Sequence, residues 1–242
     1  MQVGIILLTL GVYGLAGWLW WTERTSNYLV ALLAGHLGSL PSPLWQRLYQ
    51  FNYDSQWTPM FTFLDHPLPT SVFIAAWTMM LPSLIVLFLY QKHWWFPGYI
   101  PGLLTFAIFV FYHLIIETMG TRAGWWNYTG TSALPLGLGV TFLSALMNGL
   151  VSLGLLSILL LTRRYAWKSL LLILLPMPLV LSLFVNGLLG APLYTVLWLR
   201  EVLQVQGWAA AIGMIGTLGL LCWAAHIVAS SIENQRVGRQ MV

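Results

Sequence analysis

Long apolar stretches alternate with short polar ones along the whole chain. A helix needs about 20 mainly apolar residues to cross the hydrocarbon core of a bilayer. Lipid offers no hydrogen-bond partners to the backbone, so such stretches must be helical, and the short alternating segments typical of a barrel are absent from the sequence. The pattern predicts an all-α, polytopic membrane helix bundle of about six transmembrane helices, forming a single integral membrane domain over residues 1–242. The predicted spans cover approximately residues 3–22, 71–90, 99–119, 135–161, 168–187 and 207–231.

Two long connections do not match this pattern. The first, residues 23–70, contains "YLVALLAGHLGSLPSPLW", which glycine and prolines interrupt, and this predicts a short helix at or dipping into the interface. The segment that follows, "FNYDSQWTPMFTFLD", is too aromatic for a solvated loop, so we expect it to fold back over the non-cytoplasmic mouth of the bundle. The second connection, residues 188–206, predicts another short interfacial or re-entrant helix.

The composition agrees with a membrane protein. Of the 242 residues, 59% are hydrophobic and 7% are charged, whereas soluble domains carry about 25% charged residues. The net charge of +4 comes from ten scattered Lys and Arg, with no basic block that would indicate nucleic acid binding. Cys222 is the single cysteine of the sequence, which excludes an intrachain disulfide and a cysteine zinc site.

Basic residues are unequally divided between the two predicted faces. With six alternating spans, both termini share a face with the connections at 91–98 and 162–168. Cytoplasmic connections carry an excess of Lys and Arg, so we expect both termini to be cytoplasmic, in a cell membrane of bacterial or archaeal type. The basic residues on that face are Lys92, Arg163, Arg164, Lys168, Arg236 and Arg239, against Arg24, Arg47, Arg122 and Arg200 on the other.

One ionisable cluster lies at the end of the third predicted span, in "YHLIIETMGTRAGWWNYTG". His113 and Glu117 are four positions apart, so they lie on one face of a helix. Ionisable groups inside a span are unfavourable and usually face a cavity or a partner. Arg122 follows in a glycine-rich turn. The aromatic residues beside it are Trp125, Trp126 and Tyr128.

These residue types together indicate acid catalysis on an apolar substrate. Apolar surroundings favour the protonated form of a carboxyl group, which can act as a general acid, and aromatic faces stabilise a nearby cation. We expect Glu117 to protonate a carbon–carbon double bond of an isoprenoid, with His113 adjusting its proton affinity and Arg122 as an electrostatic anchor. Water or a second double bond would capture the carbocation, and the three aromatic residues would shape the substrate site.

Simpler explanations stay open from the sequence alone. His113 and Glu117 equally suit a structural pair that joins two helices, and the two tryptophans suit an interfacial belt. Asp65, on the first connection, is a further candidate acid, although with His66 it also suits a polar loop. Trp57 and Asn148 are candidate substrate contacts, and Asn148 equally suits an interhelical hydrogen bond. The spacing of His and carboxylates predicts no metal site, and we expect no cofactor.

The stretch "ETMGTRAGWWNYTGTSALPLGL" resembles the central motif of membrane carotenoid-modifying proteins. These are the bisanhydrobacterioruberin-type carotenoid hydratases and, more distantly, the small membrane lycopene cyclases. The resemblance implies a long isoprenoid substrate and hydration or cyclisation of its end group. The cyclases carry paired glutamates after the proline, where this chain has "PLGLG". The residues that match the hydratase-like pattern are Glu117, Gly120, Thr121, Arg122, Gly124, Trp126, Tyr128, Thr129, Pro135 and Leu136.

A different class of function fits the same composition. The chain has 14 Trp, 10 Tyr and 11 Phe, which suit a non-catalytic pigment- or lipid-binding subunit of a larger membrane complex, with His113, His226 or His36 as ligand to a pigment metal. The expected partners are a carotenoid or other long isoprenoid and membrane lipids, with no nucleic acid. A homo-oligomer and a subunit role both stay open. A transporter is less favoured, because the two halves show no matching broken helices.

Overall fold

The computed structural model describes residues 2–129, 140–162, 167–203 and 207–237. Six of its helical stretches are long and apolar enough to cross a membrane, which confirms the predicted all-α membrane bundle. These stretches are Val3–Glu23, Thr70–Gln91, Tyr99–Arg122, Val140–Thr162, Leu171–Leu189 and Ala211–Glu233.

Prolines divide several of these stretches into shorter elements. The second span combines two α-helices with a 3₁₀ segment, Ala75–Met79, and the fifth ends in a π-helical segment, Leu183–Leu189. The helices are α1 Gln2–Glu23, α2 Asn27–Gly38, α3 Ser42–Tyr49, α4 Thr70–Ile74, α5 Leu81–Gln91, α6 Tyr99–Arg122, α7 Val140–Thr162, α8 Trp167–Leu174, α9 Met177–Ser182, α10 Ala191–Leu203 and α11 Gly207–Val237. The strands are β1 Phe51–Tyr53, β2 Pro59–Phe63, β3 His66–Pro69 and β4 Trp126–Tyr128.

Helix α7 forms the centre of the bundle. Of the most apolar 18-residue stretch of α7, 78% is buried inside the bundle. The corresponding stretch of α1 is 11% buried, so α1 lies at the periphery. Gly149 and Gly154 on α7 lie against Val110 of α6 and Leu181 of α9, where any larger side chain would separate the helices. Small residues at such contacts let helices approach closely in lipid.

Helices α1 and α5 run parallel, and this corrects the predicted topology. Lys92 at the end of α5 forms a 2.8 Å salt bridge with Glu23 at the end of α1. Nearer the start of both segments, Trp77 Nε1 donates to Thr9 Oγ1 at 2.8 Å. Six strictly alternating spans would place Glu23 and Lys92 on opposite faces, so the alternation is wrong at this point. We call the end that holds Glu23 and Lys92 the Lys92 end, and the other the hairpin end.

The missing reversal is made by α2, which the sequence predicted at the interface. Tyr28 at its start donates to Gln91 at the Lys92 end, while His36 near its last turn bonds Tyr13 and the carbonyl of Phe73. Most of α2 is buried in the bundle. The helix therefore carries the chain back from the Lys92 end, so the start of α1 and the end of α11 lie at opposite ends.

The rest of the first connection folds back over the hairpin end, as its aromatic content predicts. Strand β1 pairs antiparallel with β4, with Phe51 opposite Tyr128 and Tyr53 opposite Trp126. Strands β2 and β3 form a second antiparallel hairpin. The pairing of β1 with β4 places the first connection directly against the turn that follows α6.

Helix α10 does not cross the membrane. Its 13 residues extend about 20 Å at 1.5 Å per residue, which is short of the roughly 30 Å hydrocarbon core. The backbone N–H of Leu193 donates to Thr217 Oγ1 of α11 at 3.1 Å. Helix α10 packs against α11, and the interfacial and re-entrant forms that the sequence predicted for this segment both stay predictions.

Candidate functional site

Glu117 lies in the last turns of α6 and accepts three hydrogen bonds. Trp126 Nε1 and Tyr128 Oη each donate to Oε2 at 3.0 Å, and Ser144 Oγ bonds Oε1 at 2.6 Å. The residue is buried, with 8% of its surface exposed. All three partners are neutral side chains, and they come from β4 and α7. The carboxyl group therefore joins three elements at the hairpin end without a positively charged partner among the described residues.

The turn after α6 brings the two aromatic donors back over the helix. Gly124 adopts a left-handed conformation with φ 71°, and the N–H of Trp125 donates to the carbonyl of Gly120 at 2.9 Å. The indole of Trp126 then lies directly on Gly120, where a Cβ atom would overlap the ring. A glycine at position 120 is thus required for Trp126 to reach the carboxyl group one turn earlier.

A cavity of about 420 Å³ extends from this carboxyl group, within the range of about 300–1,000 Å³ typical of small-molecule sites. Its walls are mainly apolar and aromatic, with a few amide and hydroxyl groups. Among the described residues that line it, Glu117 is the one ionisable carboxyl group, and none is Lys or Arg. The aromatic side chains in the wall are Trp45, Tyr49, Phe51, Tyr53, Trp57, Trp77, Trp125, Trp126 and Tyr128.

His113 lies one turn deeper in α6 and has a different partner. Its Nε2 atom bonds Ser152 Oγ of α7 at 2.9 Å. No hydrogen bond or salt bridge joins His113 to Glu117 in the part of the chain that the structure describes, and His113 does not line the cavity. The four-residue spacing is real, but the structure supports a helix–helix contact for His113. The expected influence of His113 on the proton affinity of Glu117 is therefore not supported by a direct contact between the two side chains.

Arg122 ends α6 with an exposed side chain. The described residues form one salt bridge, between Lys92 and Glu23, so Arg122 is not paired with Glu117. Its expected role as an electrostatic anchor has no acceptor within the described residues. The absence of this pairing leaves the carboxyl group free of the charge that would hold it ionised.

The remaining predicted residues divide between the cavity and the surface. Trp125, Trp126, Tyr128, Trp57 and Asn148 all line the cavity. Trp57 stacks on Tyr53 with ring centroids 6.0 Å apart, and Asn148 Nδ2 donates to Ser144 Oγ at 3.4 Å. Asp65, in contrast, is exposed in the turn between β2 and β3, with φ 63°, and does not line the cavity.

Several residues of the site were not predicted from the sequence, and Ser144 and Tyr53 are two of them. Ser144 lies four positions before Asn148 on α7, and two polar residues at this spacing within an apolar span are a signal for one polar face. Tyr53 bonds Ser42 Oγ at 2.8 Å and meets the ring of Trp126 edge-on at 6.3 Å. Nothing in the local sequence indicates that Tyr53 pairs with β4, because strand pairing over this separation depends on the whole fold.

The phenols of Tyr53 on β1 and Tyr128 on β4 have raised pKa values. Burial raises the pKa of Tyr53 to about 12, the hydrogen bond with Ser42 lowers it, and the nearby Glu117 raises it. Burial also raises the pKa of Tyr128 well above its ordinary value, with Glu117 as a further cause. Both hydroxyl groups therefore stay protonated at neutral pH and are available as hydrogen-bond donors.

Known proteins add no further assignment. No protein-family model, curated protein or solved structure matches the chain. The resemblance to carotenoid-modifying proteins stays a prediction, and two of its residues, Pro135 and Leu136, lie outside the described residues. Of the others, Glu117, Gly120, Trp126 and Tyr128 meet in the carboxyl site. In the described ranges no three His, Cys, Asp or Glu side chains are grouped as a metal site.

Proposed function

We propose that this protein is a membrane-embedded enzyme that adds a proton to the end group of a carotenoid or related long isoprenoid, with Glu117 as the general acid. The observation that carries the proposal is a single buried carboxyl group, held by neutral donors, in the wall of an aromatic cavity. A carboxyl group with a Lys or Arg partner would stay charged, whereas neutral partners permit both protonation states.

The hydrogen bonds around Glu117 suit either state. In the ionised form, Ser144 donates to Oε1. In the protonated form, the Oε1 hydroxyl donates to Ser144 Oγ, while Trp126 and Tyr128 continue to donate to Oε2. Oε1 is therefore the oxygen that would carry the catalytic proton, and the two aromatic donors fix the orientation of the group.

The reaction balances without a cofactor. The O–H bond of Glu117 breaks, and the proton forms a C–H bond at one carbon of the terminal double bond. The neighbouring carbon becomes cationic, and the aromatic walls stabilise this charge. In hydration, a water oxygen bonds the cation and then loses a proton to the Glu117 carboxylate. In cyclisation, a second double bond attacks and the ring cation returns the proton.

The test is Glu117→Gln, which keeps the size of the side chain and removes the acid. An isoprenoid polyene is supplied in vesicles that contain the purified protein, and its products are quantified. Loss of a general acid lowers the rate by about a hundred- to ten-thousand-fold. Glu23→Gln is the matched control, since Glu23 lies at the Lys92 end, and it should keep full activity. Full activity in a folded Glu117→Gln variant would overturn the proposal.

The alternative, a pigment-binding subunit, is favoured by one observation on α11. His226 is exposed, and its Nδ1 atom bonds Tyr99 Oη at 2.9 Å, which directs Nε2 away from that contact. In His36, by comparison, both ring nitrogens already have partners. A coloured pigment that co-purifies at a fixed ratio and is lost in His226→Ala would support this alternative.

We also propose that the Lys92 end is cytoplasmic. With Glu23 and Lys92 at one face, Arg24 joins the basic group predicted there, which changes the division of Lys and Arg from six against four to seven against three. The positive-inside rule then favours this orientation more strongly. The end of α11 lies inside, the start of α1 lies outside, and the Glu117 cavity is at the outer half of the membrane.

A further inference from the structure

We propose that the Glu117 cavity receives one end of a long apolar chain directly from the lipid, through a lateral opening between α1 and α6. Leu8 of α1 and Met119 of α6 both line the cavity, yet they are 63% and 58% exposed. Both lie in helices that are long and apolar enough to span a membrane, so we expect lipid outside them. The substrate class follows from the proposed function, and the opening is a separate inference from exposure.

The packing of α6 locates the edges of this opening. Helix α6 packs mainly against α7 and α11, whereas α1 packs mainly against α2 and α4. Toward the middle of the membrane, Tyr112 Oη donates to the carbonyl of Thr78 at 3.0 Å, which joins α6 to the second span and closes the opening there. Nearer the hairpin end, the cavity is lined by Ile116 and Met119 of α6 and by Ile5 and Leu8 of α1.

The polarity of the cavity orients the occupant. Its mouth is formed by aliphatic side chains, whereas its inner wall holds Glu117, Ser144 and Asn148. The described lining contains no Lys or Arg, so it offers no cation for the phosphate of a lipid headgroup. An uncharged end group at Glu117 would match the polar inner wall, and its apolar chain, leading out past Leu8 and Met119, would match the aliphatic mouth.

The size of the cavity limits how much of the ligand enters. A sphere of 420 Å³ is about 9 Å across, whereas a chain that crosses the hydrocarbon core is about 30 Å long. The site therefore holds one end group, and the remainder of the chain stays between α1 and α6 or in the lipid. A polyene with two identical ends must then leave and re-enter to react twice.

The experiment narrows the opening with bulky side chains. Leu8→Trp and Met119→Trp are combined in one variant, and the protein is loaded in vesicles with an acyclic forty-carbon polyene. After affinity purification, the polyene retained per protein is measured by absorbance. Because tryptophan side chains would occupy the mouth, we expect retention to fall about tenfold or more, which corresponds to at least 1.4 kcal/mol of binding free energy.

The matched control changes neighbouring lipid-facing residues that do not line the cavity. Leu7 and Ile115 are 64% and 43% exposed on the same two helices, so Leu7→Trp combined with Ile115→Trp adds the same bulk elsewhere. This control should retain the polyene as the unmodified protein does. Equal retention in both double variants, or an equal loss in both, would overturn the lateral opening. Recovery of phospholipid alone, with no polyene, would overturn the isoprenoid as occupant.

The proposed function and the lateral opening can fail separately. Retained polyene and any product formed from it are counted together, so retention does not depend on turnover. Retention that depends on Leu8 and Met119, without any product, would reject the enzyme and support the opening. Product formation that is unaffected in the variant with Leu8→Trp and Met119→Trp would support the enzyme and reject the lateral opening.

Discussion

The two ends of the bundle give a glutamate opposite surroundings. At the Lys92 end, Glu23 is exposed and forms a salt bridge with Lys92. At the hairpin end, Glu117 is buried, and its three partners are a serine, a tryptophan and a tyrosine. A buried cation would become unpaired whenever its carboxylate took up a proton, which is strongly unfavourable. Neutral donors avoid this penalty, so the surroundings of Glu117 are compatible with both protonation states of its carboxyl group.

The comparison first requires that the two ends lie on opposite sides of a membrane. Single cysteines at Thr25, Trp94 and Gln56, in a Cys222→Ser background, can be tested with a membrane-impermeant thiol reagent. We expect Thr25→Cys and Trp94→Cys to label from one side and Gln56→Cys from the other, as an all-or-none difference. Labelling of Thr25→Cys together with Gln56→Cys would contradict the parallel arrangement of α1 and α5.

Removing each carboxyl group should have unequal effects on stability. Glu117→Ala leaves three partly buried donors without this acceptor, and each unsatisfied group costs up to about 1–3 kcal/mol. We expect a loss of at least about 2 kcal/mol in the free energy of unfolding in detergent. Glu23→Ala removes an exposed salt bridge, which is worth about 0–1 kcal/mol. Similar losses in thermal unfolding of the two variants would remove the distinction between the ends.

The packing of Trp126 on Gly120, which positions the indole beside Glu117, can be disturbed without altering Glu117. Gly120→Ala places a methyl group in the position of the Trp126 indole, and overpacking of this kind costs about 1–3 kcal/mol. Gly219→Ala is a control on α11, because a Cβ atom there meets no neighbour within 4 Å. We expect the first variant to lower the unfolding temperature and the second to leave it nearly unchanged. An unaffected Gly120→Ala variant would show that Trp126 does not need this contact.

The sequence predicted the spans well because their length and hydropathy are local properties. All six predicted spans correspond to described stretches. Trp126 and Tyr128 follow Glu117 by nine and eleven positions, and the glycine-containing turn between them lets these residues meet. The position of α2 was not predictable in the same way. Its 12 residues are too few to be recognised as a span, and its burial depends on contacts with α5 and α9 that only the assembled bundle provides.

The roles of His113, Arg122 and Asp65 illustrate the same limit within the site. Spacing placed His113 on the face of Glu117, but the choice of partner depends on α7, which supplies Ser152 one turn beyond Asn148 and two turns beyond Ser144. Arg122 is close in sequence and still exposed, because five positions along a helix of about 3.6 residues per turn place it on a different face of α6 from Glu117. Asp65 lies in a connection that covers the bundle, but the hairpin turn holds it outside the cavity.

The smallest expected effect concerns the phenol of Tyr53, which senses the carboxyl group of the hairpin end. Burial raises its pKa to about 12, and Glu117 contributes in the same direction. Because the folded state binds this proton more tightly than the unfolded chain, Tyr53 makes stability fall as pH rises from about 10 to about 12, and has no such effect below pH 10.

In a phenolate absorbance titration of the ten tyrosines, Tyr53→Phe should remove one late-titrating group. Glu117→Gln should move that group to lower pH, since it removes a neighbouring negative charge, whereas Glu23→Gln should leave it in place. A titration that responds equally to both glutamate variants would mean that the phenol senses overall charge, and that the contact between Tyr53 and the carboxyl site has no electrostatic consequence.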